Sequence, residues 1–314
     1  MTSHISSDRI IDRSRGVLLG QLIGDSLGSL VEFQTAFEIT KVYPAGVRDL
    51  AAGGPFNLDA GQPTDDSEMA LTLARSLRAV GDYDPLEVHE SYVEWALSEP
   101  FDIGQTTFSA LRRDELSMES QANGALMRVS PIAIAFAGDP LGASRAALLD
   151  AAMTHPNTIC LEINALFAGV LSEAITSEWD AARTFAEFEN RATPDLAELI
   201  SVAKEVPPTD FMTHQGWVKI AFHNALFELA NGESFEESLV RTVGRGGDTD
   251  TNAAIAGALL GGIYGLSAMN REWVGTVLSC RPDADSRRPR PEQYWPGDAI
   301  ELADSLLALE KPNF

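Results

Sequence analysis

Basic residues are scarce in this chain. Lys and Arg number 23 against 46 Asp and Glu, which leaves a net charge of −23 and a pI near 4.5. That balance argues against a general nucleic-acid surface and against docking on anionic membranes. Cysteine is nearly absent: Cys160 and Cys280 stand far apart and form no metal or redox spacing. A disulfide framework is therefore excluded, and a reducing, cytoplasmic setting is expected. Long apolar runs are missing as well. Residues 16–31 are the one candidate leader or span, yet Gln21 and Asp25 interrupt them and Asp8 and Asp12 precede them. The run falls short of the ~20 apolar residues a spanning helix needs, so neither a membrane span nor a targeting segment is expected. There is no G-x-x-x-x-G-K-S/T, no strand-led G-x-G-x-x-G and no G-x-S-x-G elbow, which removes the common phosphate loops and the usual serine nucleophile. No period-2 strand pattern, internal repeat or dividing linker breaks the 314 residues. One all-α domain over residues 1–314 is predicted, with a polar, mobile segment at 1–7 and an irregular loop at 281–296.

What the chain has in quantity is glycine and acid at the starts of helices. Gly244-Arg245-Gly246-Gly247-Asp248-Thr249-Asp250-Thr251-Asn252 runs into a helix of small apolar residues, in which Ala253, Gly257, Gly261 and Gly265 recur every fourth position. Glycines so dense cannot hold a helix, since each costs about 1 kcal/mol there relative to alanine. The acids therefore sit at a loop-to-helix junction. Asp and Thr at such a place can simply cap orphan N–H groups; equally, two carboxylates and two hydroxyls suit a hard cation.

A second stretch repeats the pattern. Gly61-Gln62-Pro63-Thr64-Asp65-Asp66-Ser67-Glu68 leaves a Gly/Pro-rich loop and opens an amphipathic helix at 64–80. Asp65 with Glu68 fits a capping box, but one cap needs one side chain. Glu32 adds a fifth carboxylate at the end of a helix over 8–28, whose Gly16, Gly20, Gly24 and Gly28 form a row that admits another helix closely. Five carboxylates cannot share a pocket without cations to offset their repulsion. A site for two Mg2+ or Mn2+ ions follows.

Further helices are predicted at 85–98, 103–113, 122–137, 141–153, 156–175 with Pro156 at its first position, 178–190, 194–204, 215–230, 234–243 and 297–309. Residues 34–63 read as irregular. Three positions carry two readings each. Asp102 before the 103–113 helix is an N-cap or a ligand group. Asn123-Gly124 is a turn or an anion cradle. His155 at a helix joint is a cap or faces a ligand. His214 and His223 read as ordinary polar residues. Arg287, Arg288 and Arg290 form the one basic cluster, expected as a solvated loop or a partner contact. The Asp65-Asp66-Ser67-Glu68 run is superficially near a class I terpene synthase motif. The matching second motif is absent, and aromatics at 8% supply that pocket poorly.

Taken together, six stretches resemble the ADP-ribosylglycohydrolase family. They are Gly24-Asp25-Ser26-Leu27-Gly28 with Val31-Glu32-Phe33; Gly61 to Met69; Asp102-Ile103-Gly104; Asn123 to Arg128; Thr154-His155; and Gly246 to Thr251. The likeness runs from about Arg15 to Trp273 and is nearest to the arginine-specific branch that includes the dinitrogenase reductase-activating glycohydrolases. It implies an all-α, orthogonal helical domain around a central dinuclear metal cleft. It also implies metal ligands Thr64, Asp65, Asp66, Asp248, Asp250 and Thr251, with Glu32 as a further ligand. Asn123, Gly124 and Ala125 would face the diphosphate, and His155 and Asp102 the ribose or adenosine end. Gly246 and Gly247 join the substrate-binding set, and Glu32 or Asp66 would accept the proton of the attacking water. The implied activity is metal-dependent release of ADP-ribose from protein side chains, foremost from arginine, by a monomer whose partners are ADP-ribosylated proteins and ADP-ribose. Hydrolysis of serine- or acetyl-linked ADP-ribose, or an inactive ADP-ribose-binding module, are the alternatives. All five acids are present, which favours an enzyme.

Overall fold

Two glycine rows meet along the axis of the molecule. In a computed structural model, which describes residues 6–310, α1 (Ser7–Gly28) and α13 (Thr249–Tyr264) make the most extensive interhelical contact. A side chain on Gly16 would lie 2.3 Å from the Gly261 carbonyl oxygen, one on Gly20 2.2 Å from that of Gly257, and one on Gly24 2.0 Å from that of Ala253. The contact is thus backbone against backbone, and only glycine on α1 permits it. Because the two rows run in opposite directions, the C-terminus of α1 arrives beside the N-terminus of α13. The Thr249 hydroxyl donates to the Gly28 carbonyl at 2.7 Å and locks that end.

Thirteen other helices surround this pair among the described residues. They are α2 (Ala36–Val42), α3 (Asp65–Val80), α4 (Pro85–Leu97), α5 (Gln105–Arg113), α6 (Ser130–Ala135), α7 (Pro140–Ala152), α8 (Thr158–Thr176) and α9 (Ala181–Arg191). They continue with α10 (Pro194–Ala203), α11 (Val218–Asn231), α12 (Phe235–Gly244), α14 (Arg271–Ser279) and α15 (Ala299–Leu307). No strand forms among the described residues; three isolated bridges are the only extended pairings. The core runs continuously from Val17 to Leu306. The all-α expectation is met.

Several local expectations are revised. The helix expected at 122–137 is instead a 3-10 turn at Leu126–Arg128 followed by α6, with Pro131 in the first turn of α6. Ahead of it, Asn123 N–H donates to the Gly216 carbonyl at 2.8 Å, an extended pairing that no helix can make. Pro156 does not open α8: Asn157 is the cap, accepting from the Ile159 N–H. The stretch 34–63 contains α2, closed by a capping box between Thr35 and Glu38. The helix at α14 carries no clear sequence signal beyond its Asn270 cap. Of the segment 1–7, residues 1–5 lie outside the described residues, while Ser6 caps α1. Not 16–31 but α8 is the described helix long and apolar enough to cross a membrane, with a mean hydropathy of 1.5, and most of it is buried in the core.

Candidate active site

The α1–α13 register places Glu32, just past α1, against Asp248 and Asp250 at the head of α13. Oxygens of these three carboxylates lie within 4.8 Å of one another, and so do oxygens of Asp25, Asp66 and Asp250. Asp250 belongs to both groups. The third segment, the N-terminus of α3, is held from α1 by two buried side chains. Gln21 donates to the carbonyls of Asp66 (3.2 Å) and Met127 (2.8 Å). Asp25 accepts from the Thr64 N–H (3.2 Å), the Thr64 hydroxyl (2.9 Å) and the Ser67 N–H (3.1 Å). Thr64 is the N-cap of α3 yet makes no side-chain cap bond. Its hydroxyl stands within reach of both Asp25 and, at 3.0 Å, Asp66. Thr251 Oγ1 donates to Asp66 Oδ2 at 3.3 Å. The expected Asp65–Glu68 capping box does not form. Asp65 accepts from the Gly104 N–H at 3.3 Å, and Glu68 turns away to Arg290.

Glu68 apart, no lysine or arginine pairs with any of these acids among the described residues. Burial, followed by the charges of Asp102 and Asp248, pushes the Glu32 carboxyl up to about 9. Burial raises Asp25 to about 7, and Asp65, Asp66 and Asp250 are raised by burial and then by neighbouring acids, foremost Asp102, Asp25 and Glu32 respectively. Asp66 Oδ1 and Glu32 Oε2 are buried with no hydrogen-bond partner. A buried oxygen without a donor costs about 1–3 kcal/mol, more when charged. An all-oxygen donor set with raised pKa values and orphaned oxygens fits hard divalent cations, whose charge would reverse the local penalty.

In front of the acids lies a cavity of about 500 Å3. Glu32, Asp65, Asp248, Asp250 and Thr251 line it, together with Asp102. Asn123, Gly124 and His155 line it as well, as do the exposed rings of Phe33 and Trp217. Asn123 Nδ2 donates to Asp248 Oδ2 at 2.6 Å and ties the Asn123–Gly124 turn to the acids. A Cβ on Gly124 would meet His155 Cε1 and Thr107 Oγ1, each at 2.9 Å, so the turn lies tight against its neighbours. Behind it, buried Arg128 donates to the Gly124 carbonyl at 3.1 Å and to Asp150. His155 Nδ1 is bonded to Thr154 Oγ1 at 2.8 Å, while Nε2 is buried without a partner. Burial and the Arg128 charge lower its pKa to about 3, so the ring is neutral. Asp102, raised by burial to about 6, is not a cap, because α5 is capped at Gly104.

Some of the predicted residues stand back from the cavity. Thr64 and Asp66 are buried behind the lining, and Ala125 lies beneath Gly124. Gly246 and Gly247, expected in the substrate-binding set, are not among the residues that line the cavity. Both hold positive φ, +79° and +77°. Their side-chain positions are blocked by the Gln34 and Phe211 carbonyls, at 2.5 and 2.2 Å, so they serve the turn itself. Asp25 was missed as a member of the acid group. Its signals were an aspartate in the middle of a glycine row and its place in the Gly24–Gly28 stretch that carries the family likeness.

The ADP-ribosylglycohydrolase family model matches residues 6–313. The ADP-ribosyl-dinitrogen reductase glycohydrolase of Rhodospirillum rubrum is 32% identical over 298 residues, 88% of this chain and 94% of that protein. The ADP-ribosylarginine hydrolase Tri1 of Pseudomonas putida is 29% identical over 290 residues, 87% of this chain and 76% of Tri1. A solved structure described as an ADP-ribosylglycohydrolase-related protein complex superposes with a TM-score of 0.78 at 28% identity. It covers 96% of this chain and 99% of its own.

Proposed function

This chain belongs to the ADP-ribosylglycohydrolase family, and on that premise we propose that it hydrolyses the N-glycosidic bond between ADP-ribose and an arginine side chain, using Mg2+ or Mn2+. One observation carries the reading: a cavity lined by buried carboxylates that have no basic partner among the described residues, with an orphaned oxygen on Glu32 and another on Asp66 behind it. The two acid groups that share Asp250 support a pair of ions. Thr64, Asp65, Asp66, Asp248, Asp250, Thr251 and Glu32 would hold them. Such ions, when bound, lower the pKa of a coordinated water and bind ribose hydroxyls.

The protein's own groups would do the remaining work. Asn123 and the Gly124 turn, with the neutral His155, suit the diphosphate and ribose, because His155 Nε2 has no other partner. Cleavage of the C1–N bond passes through an oxocarbenium-like state. Water adds to C1, the C1–N electron pair stays with nitrogen, and the proton given up by water ends on the departing guanidine. Glu32 lines the cavity while Asp66 lies behind it, which supports Glu32 as the acceptor that relays this proton. The Pseudomonas putida relative, an ADP-ribosylarginine hydrolase, supports the arginine linkage.

The test is turnover of matched peptides carrying arginine-linked or serine-linked ADP-ribose, with added Mg2+ and with a chelator. Faster release from arginine, abolished by the chelator, is expected. Equal or faster serine turnover would sink the arginine assignment, and chelator-resistant turnover would sink the metal assignment.

A further inference from the structure

Phe33 is conspicuous on two independent grounds. Its backbone lies in the left-handed region, φ +66°, where a bulky side chain is uncommon and strained. The conformation is held by a reciprocal pair of bonds to the acid-bearing loop: Phe33 N–H donates to the Gly247 carbonyl at 2.8 Å, and Gly247 N–H donates to the Gln34 carbonyl at 2.9 Å. Burial does not repay that strain, for Phe33 is 52% exposed. The ring is nevertheless supported. It meets Phe56 in an edge-to-face contact at 6.4 Å, and Phe56 leans on Phe101 at 5.6 Å. It also lines the cavity, next in sequence to Glu32, and shares that lining with Asp65, Asp102 and Asp248. Strained residues persist where the surroundings over-determine them, and such places cluster at ligand clamps.

The bond to be cut must lie at the acid end, so the group that crosses this rim is the leaving side chain of the modified protein. A braced aromatic ring beside several carboxylates complements one leaving group in particular. A guanidinium is planar, weakly hydrated and cationic, and it stacks on aromatic faces. A serine hydroxyl has neither the plane nor the charge. Trp217, the other aromatic at the cavity edge, is already stacked on His214 at 3.9 Å.

We propose that Phe33 determines linkage specificity by receiving the guanidinium plane of arginine-linked substrates at the rim of the cavity. The inference rests on the hydrolase reading above. It is tested by the ratio of kcat/KM on arginine-linked over serine-linked ADP-ribosyl peptides, for wild-type protein, Phe33→Leu and Phe33→Trp. Leucine keeps the apolar bulk and removes the π face. A cation–π contact in a partly desolvated rim corresponds to a fall of about tenfold in that ratio for Phe33→Leu, with the ratio kept or raised in Phe33→Trp. Thermal melts of both variants establish that each is folded. An unchanged ratio in Phe33→Leu, whether both rates fall together or neither does, overturns the inference. Turnover of neither peptide by the wild-type protein is a different result, and it overturns the hydrolase reading on which the inference stands.

Discussion

Asp66 and Glu68 lie two residues apart in the first turn of α3, both about 1% exposed, and their surroundings are opposite. Glu68 is gripped by Arg290 through Nε (2.7 Å) and Nη2 (2.8 Å) and accepts the Trp95 indole N–H at 2.8 Å. Asp66 meets two threonine hydroxyls, no cation, and keeps one oxygen without any partner. The contrast extends across the molecule. Asp150 is paired with Arg128, and Glu228 with Arg241 and Arg245. In a chain with half as many bases as acids, arginines reach these buried carboxylates, yet among the described residues none reaches the cleft. Buried charge is tolerated when paired and costly when not. The acids of the cleft are therefore arranged for positive charge that arrives from outside the chain.

The sharpest way to break this comparison is to neutralise one acid on each side. Asp66→Asn is expected to lower turnover by on the order of 10²–10⁴ and to abolish Mg2+ and Mn2+ binding by calorimetry. It should also leave the metal-free protein more stable, because a repulsive charge is gone. Retained metal binding in this variant would contradict the role given to the cleft.

Arg290→Met should do the reverse. It strands Glu68 as a buried, unpaired carboxylate, and loss of about 3–5 kcal/mol in denaturant unfolding is expected. Adding Glu68→Leu should recover much of it. A single variant as stable as wild type would mean that the pair is not what holds residues 281–296 against α3.

The two regions should also differ in their pH response. Folding raises Glu32 from 4.5 to about 9 and Asp25 from 3.8 to about 7. The native, metal-free protein thus binds more protons than the unfolded chain between those values, so stability is present at the acid end and is lost as pH rises through the folded pKa values. Melting temperatures of chelated protein should fall from pH 6 to pH 9, and Mg2+ should flatten or invert the slope. A flat profile without metal would count against uncompensated cleft acids.

The smallest effect separates pairing from burial. Arg15 and Asp304 form an ion pair at 2.7 Å with side chains 35% and 39% exposed. Asp304→Asn should change stability by less than ~1 kcal/mol, because water and salt screen an exposed pair. A loss as large as that of Arg290→Met would show that ion pairing, wherever it occurs, sets the stability of this protein.

The sequence by itself determined what depends on neighbouring residues. Helical periodicity gave the all-α class. The four-residue glycine spacing foretold a close helix contact, because glycine alone admits a facing backbone. The acid runs at 64–68 and 248–251 were placed at helix starts by the loop glycines and prolines that precede them. Tertiary structure decided what depends on residues far apart in the chain. Glu68 looked like a capping residue because its partner Arg290 is 222 positions away. Arg290, read with Arg287 and Arg288 as a solvated loop, is buried on Glu68, while Arg287 and Arg288 bond to Asn57 and the Phe56 carbonyl. Asp25 joined the acids only once the glycine seam brought α1 under α3. The helix expected at 122–137 gave way to a turn because Gly216 supplied a hydrogen bond that no local pattern encodes. Propensity and capping act within about a turn of helix, whereas a buried charge is settled by whichever side chain the fold brings to it.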